Sequence, residues 1–298
     1  MKHWIKTATF KCLSALPEGL GDAMYHTLQR VVSSQSIGEE ITSKNTAYER
    51  MQAILSGLEV PFRNQRILEI GSGWLPILPY FMKFKGGCAE VFTYDINRHF
   101  NKNRIRDFAR IFFADYCPGS NPPGSDAKFG LPAGIAYFPS TDILVNPPAA
   151  QSIDLVVSVN VLEHVHPDTL LAIHRESGRY LTEDGLFVHL VSPSDHRAYS
   201  DLSLSLYDFL QYSQEEWDHI QTRFDYHNRL RFPQYLQLFK DSGFDVLYQQ
   251  FSTAKDHPVQ AEKFSHLRLH DDFKNFSFDE LTAGSLAFVL KRSKKGNA

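Results

Sequence analysis

The sequence predicts an α/β protein on a doubly wound, seven-stranded mixed sheet, and three observations carry that expectation. Ile67, Leu68 and Ile70 form a short apolar run of the kind that fills a strand buried on both faces. The run stops at Gly71-Ser72-Gly73, beyond which Leu75 to Phe84 reads as an apolar helix that tolerates Pro76 in its first turn. From Arg66 to about Val191, short β-branched runs then alternate with helical spacing, the pattern of strands joined by crossover helices.

The remaining elements follow in order. Residues 1 to about 60 read as a helical segment ending in Thr46–Leu58, and 61–298 as the main domain. Val91–Tyr94 is a second strand ending at Asp95, followed by helical spacing from His99 to Phe113. Cys117–Gly134, with Pro122-Pro123-Gly124 at its centre, is a loop. Ile135–Phe138 and Ile153–Val159 are strands, Pro167 opens a helix to about Leu181, and Glu183-Asp184-Gly185 turns into the strand Leu186–Val191. The alternation then breaks at an aromatic, polar insertion over about 192–231. A helix, Phe232–Ser242, and two strands, Phe244–Phe251 and Ser285–Lys291, close the chain around a second insertion at about 252–284.

A chain of 298 residues with 43% hydrophobic and 22% charged residues buries a sizeable core and matches ordinary soluble composition. A net charge of −3 and the lack of a basic stripe argue against a nucleic-acid partner. Cys12, Cys88 and Cys117 are dispersed and odd in number, which fits a reducing compartment, so a cytoplasmic location is expected. No apolar run reaches the roughly 20 residues that span a bilayer, and no signal peptide is expected at the N-terminus. Residues 1–16 alternate Lys2, Lys6 and Lys11 with Trp4, Ile5, Phe10 and Leu13; the face they form packs on the main domain or lies on a membrane surface.

The Glu69-x-Gly71-x-Gly73 spacing, with Pro76 where a dinucleotide fingerprint needs its third glycine, resembles motif I of class I S-adenosylmethionine-dependent methyltransferases. Asp95 lies 22 residues beyond Gly73 at a strand end, Asp142-Ile143 follow the third strand, and the L-E-H tripeptide Leu162–His164 follows the fourth. Together the resemblance covers Arg66–Val191, and the closing strand pair extends it to Lys291. It implies S-adenosylmethionine as cofactor. Glu69, Gly71, Ser72, Gly73 and Trp74 would meet the methionine part, Asp95 the ribose hydroxyls, and Asp142 and Ile143 the adenine, with Ile96 beside Asp95 and Asn160 after strand four also meeting the cofactor. The expected activity is methyl transfer to a small-molecule or saccharide acceptor, on oxygen. The rival readings are a non-catalytic cofactor-binding protein of this fold and a protein-directed methyltransferase; the sequence does not decide the oligomeric state.

For a hydroxyl acceptor a base is needed, and His196, oriented by Asp195 just past the fifth strand, is the candidate, ahead of His189, His99 and His164. Glu163, His164 and His166 carry metal-ligand side chains, but adjacent positions point apart and no distant pair is visible, so no metal is expected. Arg229 and Arg231, in Tyr226–Arg231, either hold an anionic group of the acceptor or tie the insertion down by ion pairs.

Overall fold

The computed structural model describes residues 3–17, 19–21, 24–25, 36–119, 124, 126 and 128–294, without the side chains of 3–6. Pro122 and Pro123 of the expected loop, Lys2, and the side chains of Trp4, Ile5 and Lys6 of the N-terminal face lie outside what is described. The strands are β1 (Arg66–Ile70), β2 (Glu90–Asp95), β3 (Ile135–Pro139), β4 (Ile153–Val159), β5 (Leu181–Val191), β6 (Phe244–Ser252) and β7 (Gly284–Arg292). They form one sheet in the order β3-β2-β1-β4-β5-β7-β6. β1 to β5 pair in parallel, and β7 runs antiparallel between β5 and β6.

Helices α1 (His3–Ser14), α2 (Ile37–Gly57), α3 (Ile77–Tyr80, continued by a wide turn at Phe81–Lys85), α4 (Lys102–Tyr116), α5 (Pro167–Glu176), α6 (Gln214–Ile220), α7 (Phe232–Asp241), α8 (Pro258–Ser265) and α9 (Phe278–Thr282) surround the sheet. Strand side chains alternate between its faces. Ile67, Val91, Leu155 and Val188 face Tyr48 and Met51 of α2, Tyr80 of α3 and Phe108 of α4. Leu68, Val156, Phe187 and Phe288 face Leu170 of α5 and Tyr235 and Phe239 of α7. Among the described residues no helix is long and apolar enough to cross a membrane.

β5 begins at Leu181 and α5 ends at Glu176, so the segment expected as a turn at Glu183–Gly185 is the exposed start of a longer strand. Its polar residues are tolerated because only Leu181 and the run from Gly185 are buried.

The two insertions share a core of their own. Tyr207, Phe209, Leu210 and Trp217 of the first pack with Ala254, Phe273 and Leu281 of the second. Arg231 ties the two insertions together: fully buried, it donates from Nε to Arg229 O (3.1 Å), from Nη1 to Leu281 O (3.3 Å) and from Nη2 to Pro193 O (2.7 Å). α1 lies against the same lobe, with Phe10 and Leu13 buried and the Phe10 ring 6.4 Å from that of Phe224. Those two apolar side chains, expected to contact either the domain or a membrane, are thus spent on the protein.

Candidate active site

The corner expected to hold the donor is built at the carboxyl ends of β1 and β2. Gly71 (φ +85°) and Gly73 (φ +63°) both adopt the left-handed backbone that favours glycine. A Cβ on Gly71 would stand 2.4 Å from Val161 Cγ2, so its smallness serves packing against the β4 exit loop; at Gly73 a Cβ would meet nothing within 4 Å. Glu69 lies buried beneath this turn and accepts a hydrogen bond from the Thr93 hydroxyl on β2. Thr93 Oγ1 is also 2.7 Å from Ser72 Oγ. With its only proton given to Glu69, Thr93 accepts from the serine, and the three side chains lock the turn to β2. Burial pushes the Glu69 carboxyl up to about 8, opposed by the Thr93 bond and by the Lys44 ammonium.

Asp95 is raised by burial, against the backbone amides of Asn97, Gly73 and Ser72, and Asn97 N donates to its Oδ1 at 2.8 Å. His99 Nε2 lies 3.7 Å from Asp95 Oδ1, and its ring packs on Trp74 with centroids 4.5 Å apart. Beside it Ile96 is 74% exposed, an apolar surface open for a flat ring. Asp142 is exposed and caps its own turn through Leu144 N (2.8 Å), while Ile143 is buried in the core. Asn160 is exposed at φ +57°, anchored by its amide to Leu190 O (2.8 Å).

Lys44 of α2 is a residue the sequence reading did not find. Its ammonium is drawn down by burial and held up by Glu69, Glu163 and Glu40. Glu163, fully buried, accepts from Ser192 N at 3.1 Å through Oε1, and burial pushes its carboxyl up to about 7. Lys44 therefore bridges electrostatically between the β1 corner and the loops leaving β4 and β5.

The acceptor-side candidates are arranged differently from expectation. Asp195 does not orient His196: its carboxylate is clasped by Arg197, with Nε to Oδ1 at 3.0 Å and Nη2 to Oδ2 at 2.6 Å, and Arg197 reaches Asp208 as well. His189 turns to the face covered by α5 and α7, where its Nε2 meets His174 Nε2 at 3.1 Å. His174 Nδ1 donates to Leu170 O, so its Nε2 accepts from His189; His189 Nδ1 in turn accepts from Ser158. This ordered pair is structural.

Arg229 donates to Phe209 O, Tyr212 O and Gln214 Oε1, so both arginines serve the insertions. The tie runs through carbonyl groups, where ion pairs were the alternative expected to anionic binding. His166 caps α5, its Nδ1 accepting from Asp168 N, apart from its sequence neighbours.

What the fold brings together is His164, His196 and His227. Asn228 clamps the β4 exit loop, donating from Nδ2 to Leu162 O (2.7 Å) and Val165 O (2.8 Å) and from its amide to Glu163 O (2.8 Å). That clamp sets the His164 ring 4.3 Å from His227 and 5.0 Å from His196, with His196 and His227 4.0 Å apart. His227 and Asn228 stand in the segment singled out for its arginines, yet nothing local signals that they meet a loop more than 60 residues earlier.

A strand order with an inserted antiparallel β7, and a glycine corner facing a strand-end aspartate, define the class I S-adenosylmethionine-dependent methyltransferase fold. A family model described as "Methyltransferase domain" matches residues 44–249, and the chain belongs to that family; it is an S-adenosylmethionine-dependent methyltransferase. No curated protein matches the sequence. Among solved structures, a protein of Galdieria sulphuraria assigned as a sarcosine dimethylglycine methyltransferase aligns with TM-score 0.50 and 15% identity over 83% of this chain and 86% of its own. A geranyl diphosphate methyltransferase in complex with S-adenosylmethionine aligns with TM-score 0.50 and 13% identity over 86% and 88%. At such identities the likeness is one of fold.

Proposed function

We propose that the enzyme methylates an oxygen of a small, uncharged acceptor, such as a saccharide or another hydroxyl compound, lying over the carboxyl ends of β4 and β5. The observation that carries this reading is the pairing of a donor corner with a wall of three imidazoles across those strand ends. In this reading the donor fits the corner: Gly73 leaves its backbone open, Asp95 takes the ribose hydroxyls, and Ile96 faces the adenine. Gly71, Ser72 and Trp74 line the methionine end, with Lys44 holding its carboxylate. Glu69 holds the turn from beneath. Asp142, Ile143 and Asn160 border the adenine and the methyl-bearing end. When bound, the donor supplies an already activated methyl group.

The chain's own work is then alignment, exclusion of water and removal of the hydroxyl proton. His196, backed by His164 and His227, receives that proton in this reading. Because the guanidinium groups of Arg229 and Arg231 are engaged by carbonyl oxygens, the first insertion offers neither of them to an anionic acceptor, which favours a neutral one. Incubation with methyl-labelled donor and a panel of neutral hydroxyl, amine, carboxylate and phosphate acceptors tests this. Label in neutral hydroxyl compounds is expected; transfer confined to amines or anionic acceptors would contradict it. His196→Ala is expected to lower kcat about 10²–10⁴-fold, with donor affinity nearly unchanged.

A further inference from the structure

We propose that His164, His196 and His227 form a binding site for a divalent transition metal, zinc foremost, with one coordination position left open. Each histidine offers one ring nitrogen, and the three nitrogens all lie within 4.8 Å of one another. If every pair stood at that limit, the point equidistant from them would be about 2.8 Å from each, against roughly 2.0–2.1 Å for a Zn–N bond. Closure asks each ring to move by under about 1 Å, within the play of side chains carried on loops.

The hydrogen bonds prepare the rings for this. His164 Nδ1 lies 3.0 Å from Tyr226 O, and His227 Nδ1 lies 2.9 Å from Asp225 O. A carbonyl oxygen only accepts, so both Nδ1 atoms carry the proton and both Nε2 atoms present a lone pair. A backbone carbonyl on the far nitrogen is the support that fixes tautomer and ring plane in metal-bound histidines. The backbone is held as firmly: Asn228 clamps the loop of His164, the His227 amide donates to Gln221 Oε1 at 2.8 Å, and Trp217 Nε1 donates to His227 O at 3.0 Å.

Three neutral imidazoles suit zinc, cobalt or nickel over magnesium or calcium, which prefer oxygen ligands. Three protein ligands on a four-coordinate ion leave a position for water or a neutral oxygen ligand, the pattern of open rather than closed zinc sites. His227 is buried, His196 intermediate and His164 exposed, so the trio opens to solvent on the His164 side. A metal-bound His196 has no lone pair left to take a proton, so it is the base only in the metal-free protein. With the metal bound, the acceptor hydroxyl would occupy the open position, a use that rests on the acceptor reading above; the site itself does not.

The test is a zinc titration of the full chain after chelator treatment, without donor or acceptor, in a Cys12→Ser background that removes the exposed thiol. One equivalent of zinc is expected, with His164→Ala, His196→Ala and His227→Ala each weakening binding at least as much as the roughly 10–100-fold that loss of a mere supporting partner costs. His166→Ala should bind as the parent does. Cobalt in the same site should give the intense visible absorption of a four-coordinate ion, abolished by the same three changes. No stoichiometric zinc in the parent, or equal affinity in the three variants, would overturn the proposal. Should the buried His227→Ala fail to fold, His164→Ala decides, because that ring is exposed. S-adenosylhomocysteine binding measured on the same samples separates the two readings: its loss alone would count against the donor corner and leave the metal site standing.

Discussion

Burial holds the Glu69 carboxyl at about 8 and the His174 imidazole at about 4, and these two residues respond to acid in opposite senses. The folded Glu69 keeps its proton more tightly than the unfolded chain, so its contribution is full below the usual carboxyl value and lost as pH rises through 8. Glu163, at about 7, acts in the same direction. His174 binds its proton less tightly when folded; its contribution is full above pH 6.5 and lost as pH falls through 4, and buried His189 follows it. Between about pH 6.5 and 4.5 the two pairs oppose each other. Glu69→Gln removes one opposing slope. Urea unfolding of the ligand-free variant should show a loss of about 1.4 kcal/mol more per pH unit than wild type over that window; parallel curves would contradict the buried, protonated state. Lys44 makes a separate prediction. If it holds the donor's carboxylate, Lys44→Met should weaken S-adenosylhomocysteine binding by about 1.5–3 kcal/mol, the range of a hydrogen bond to a charged group. Calorimetry showing unchanged affinity would assign the lysine to the glutamates alone.

The glycine turn after β1 shows what a sequence reveals of an element. Its place was legible because an apolar run, two glycines and a helix start are local features, and Asp95 was legible because strands of one parallel sheet end at one edge. The reason for Gly71 was not: the contact that requires it is Val161, 90 residues on, in the loop after β4. Gly71→Ala should therefore destabilise the protein by more than the roughly 1–2 kcal/mol of a left-handed backbone alone. Adding Val161→Ala should recover the steric part and leave the backbone part, measured by thermal unfolding. No recovery would mean that the clash relaxes elsewhere. Lys44 lay inside the segment read as helical, but nothing local showed its role, because its partners are carboxylates on β1 and the β4 exit loop. Of the three histidines, His164 and His196 stand out separately in the sequence, as metal-ligand and base candidates; what escaped was their meeting with His227, which the Asn228 clamp brings about. Asp195 misled because proximity in sequence to His196 suggested a partnership that Arg197, two residues on, takes instead.

Across the whole molecule, the seven strands and their alternation with helices were legible in the sequence, whereas their order across the sheet, and the lobe built from the two insertions, depend on long-range packing that no periodicity announces. Arg231 is its keystone, and Arg231→Met would leave the carbonyl groups of Pro193, Leu281 and Arg229 without their donor in a dry interior. A loss of about 3 kcal/mol or more is expected, since each orphaned group costs about 1–3 kcal/mol. Hydrogen exchange should show the added opening concentrated in 192–231 and 252–284, with β1 to β4 protected; uniform exposure would place Arg231 in the main core instead. The central claim is that the corner of Gly71, Gly73 and Asp95 holds the methyl donor. Calorimetric titration of S-adenosylhomocysteine into wild type and Asp95→Ala tests it most directly, with NAD as the competing ligand class. The account predicts saturable binding of S-adenosylhomocysteine, weakened by about 1.5–3 kcal/mol in the variant, and no heat from NAD. Equal affinity in the two proteins, or heat from NAD alone, would contradict it.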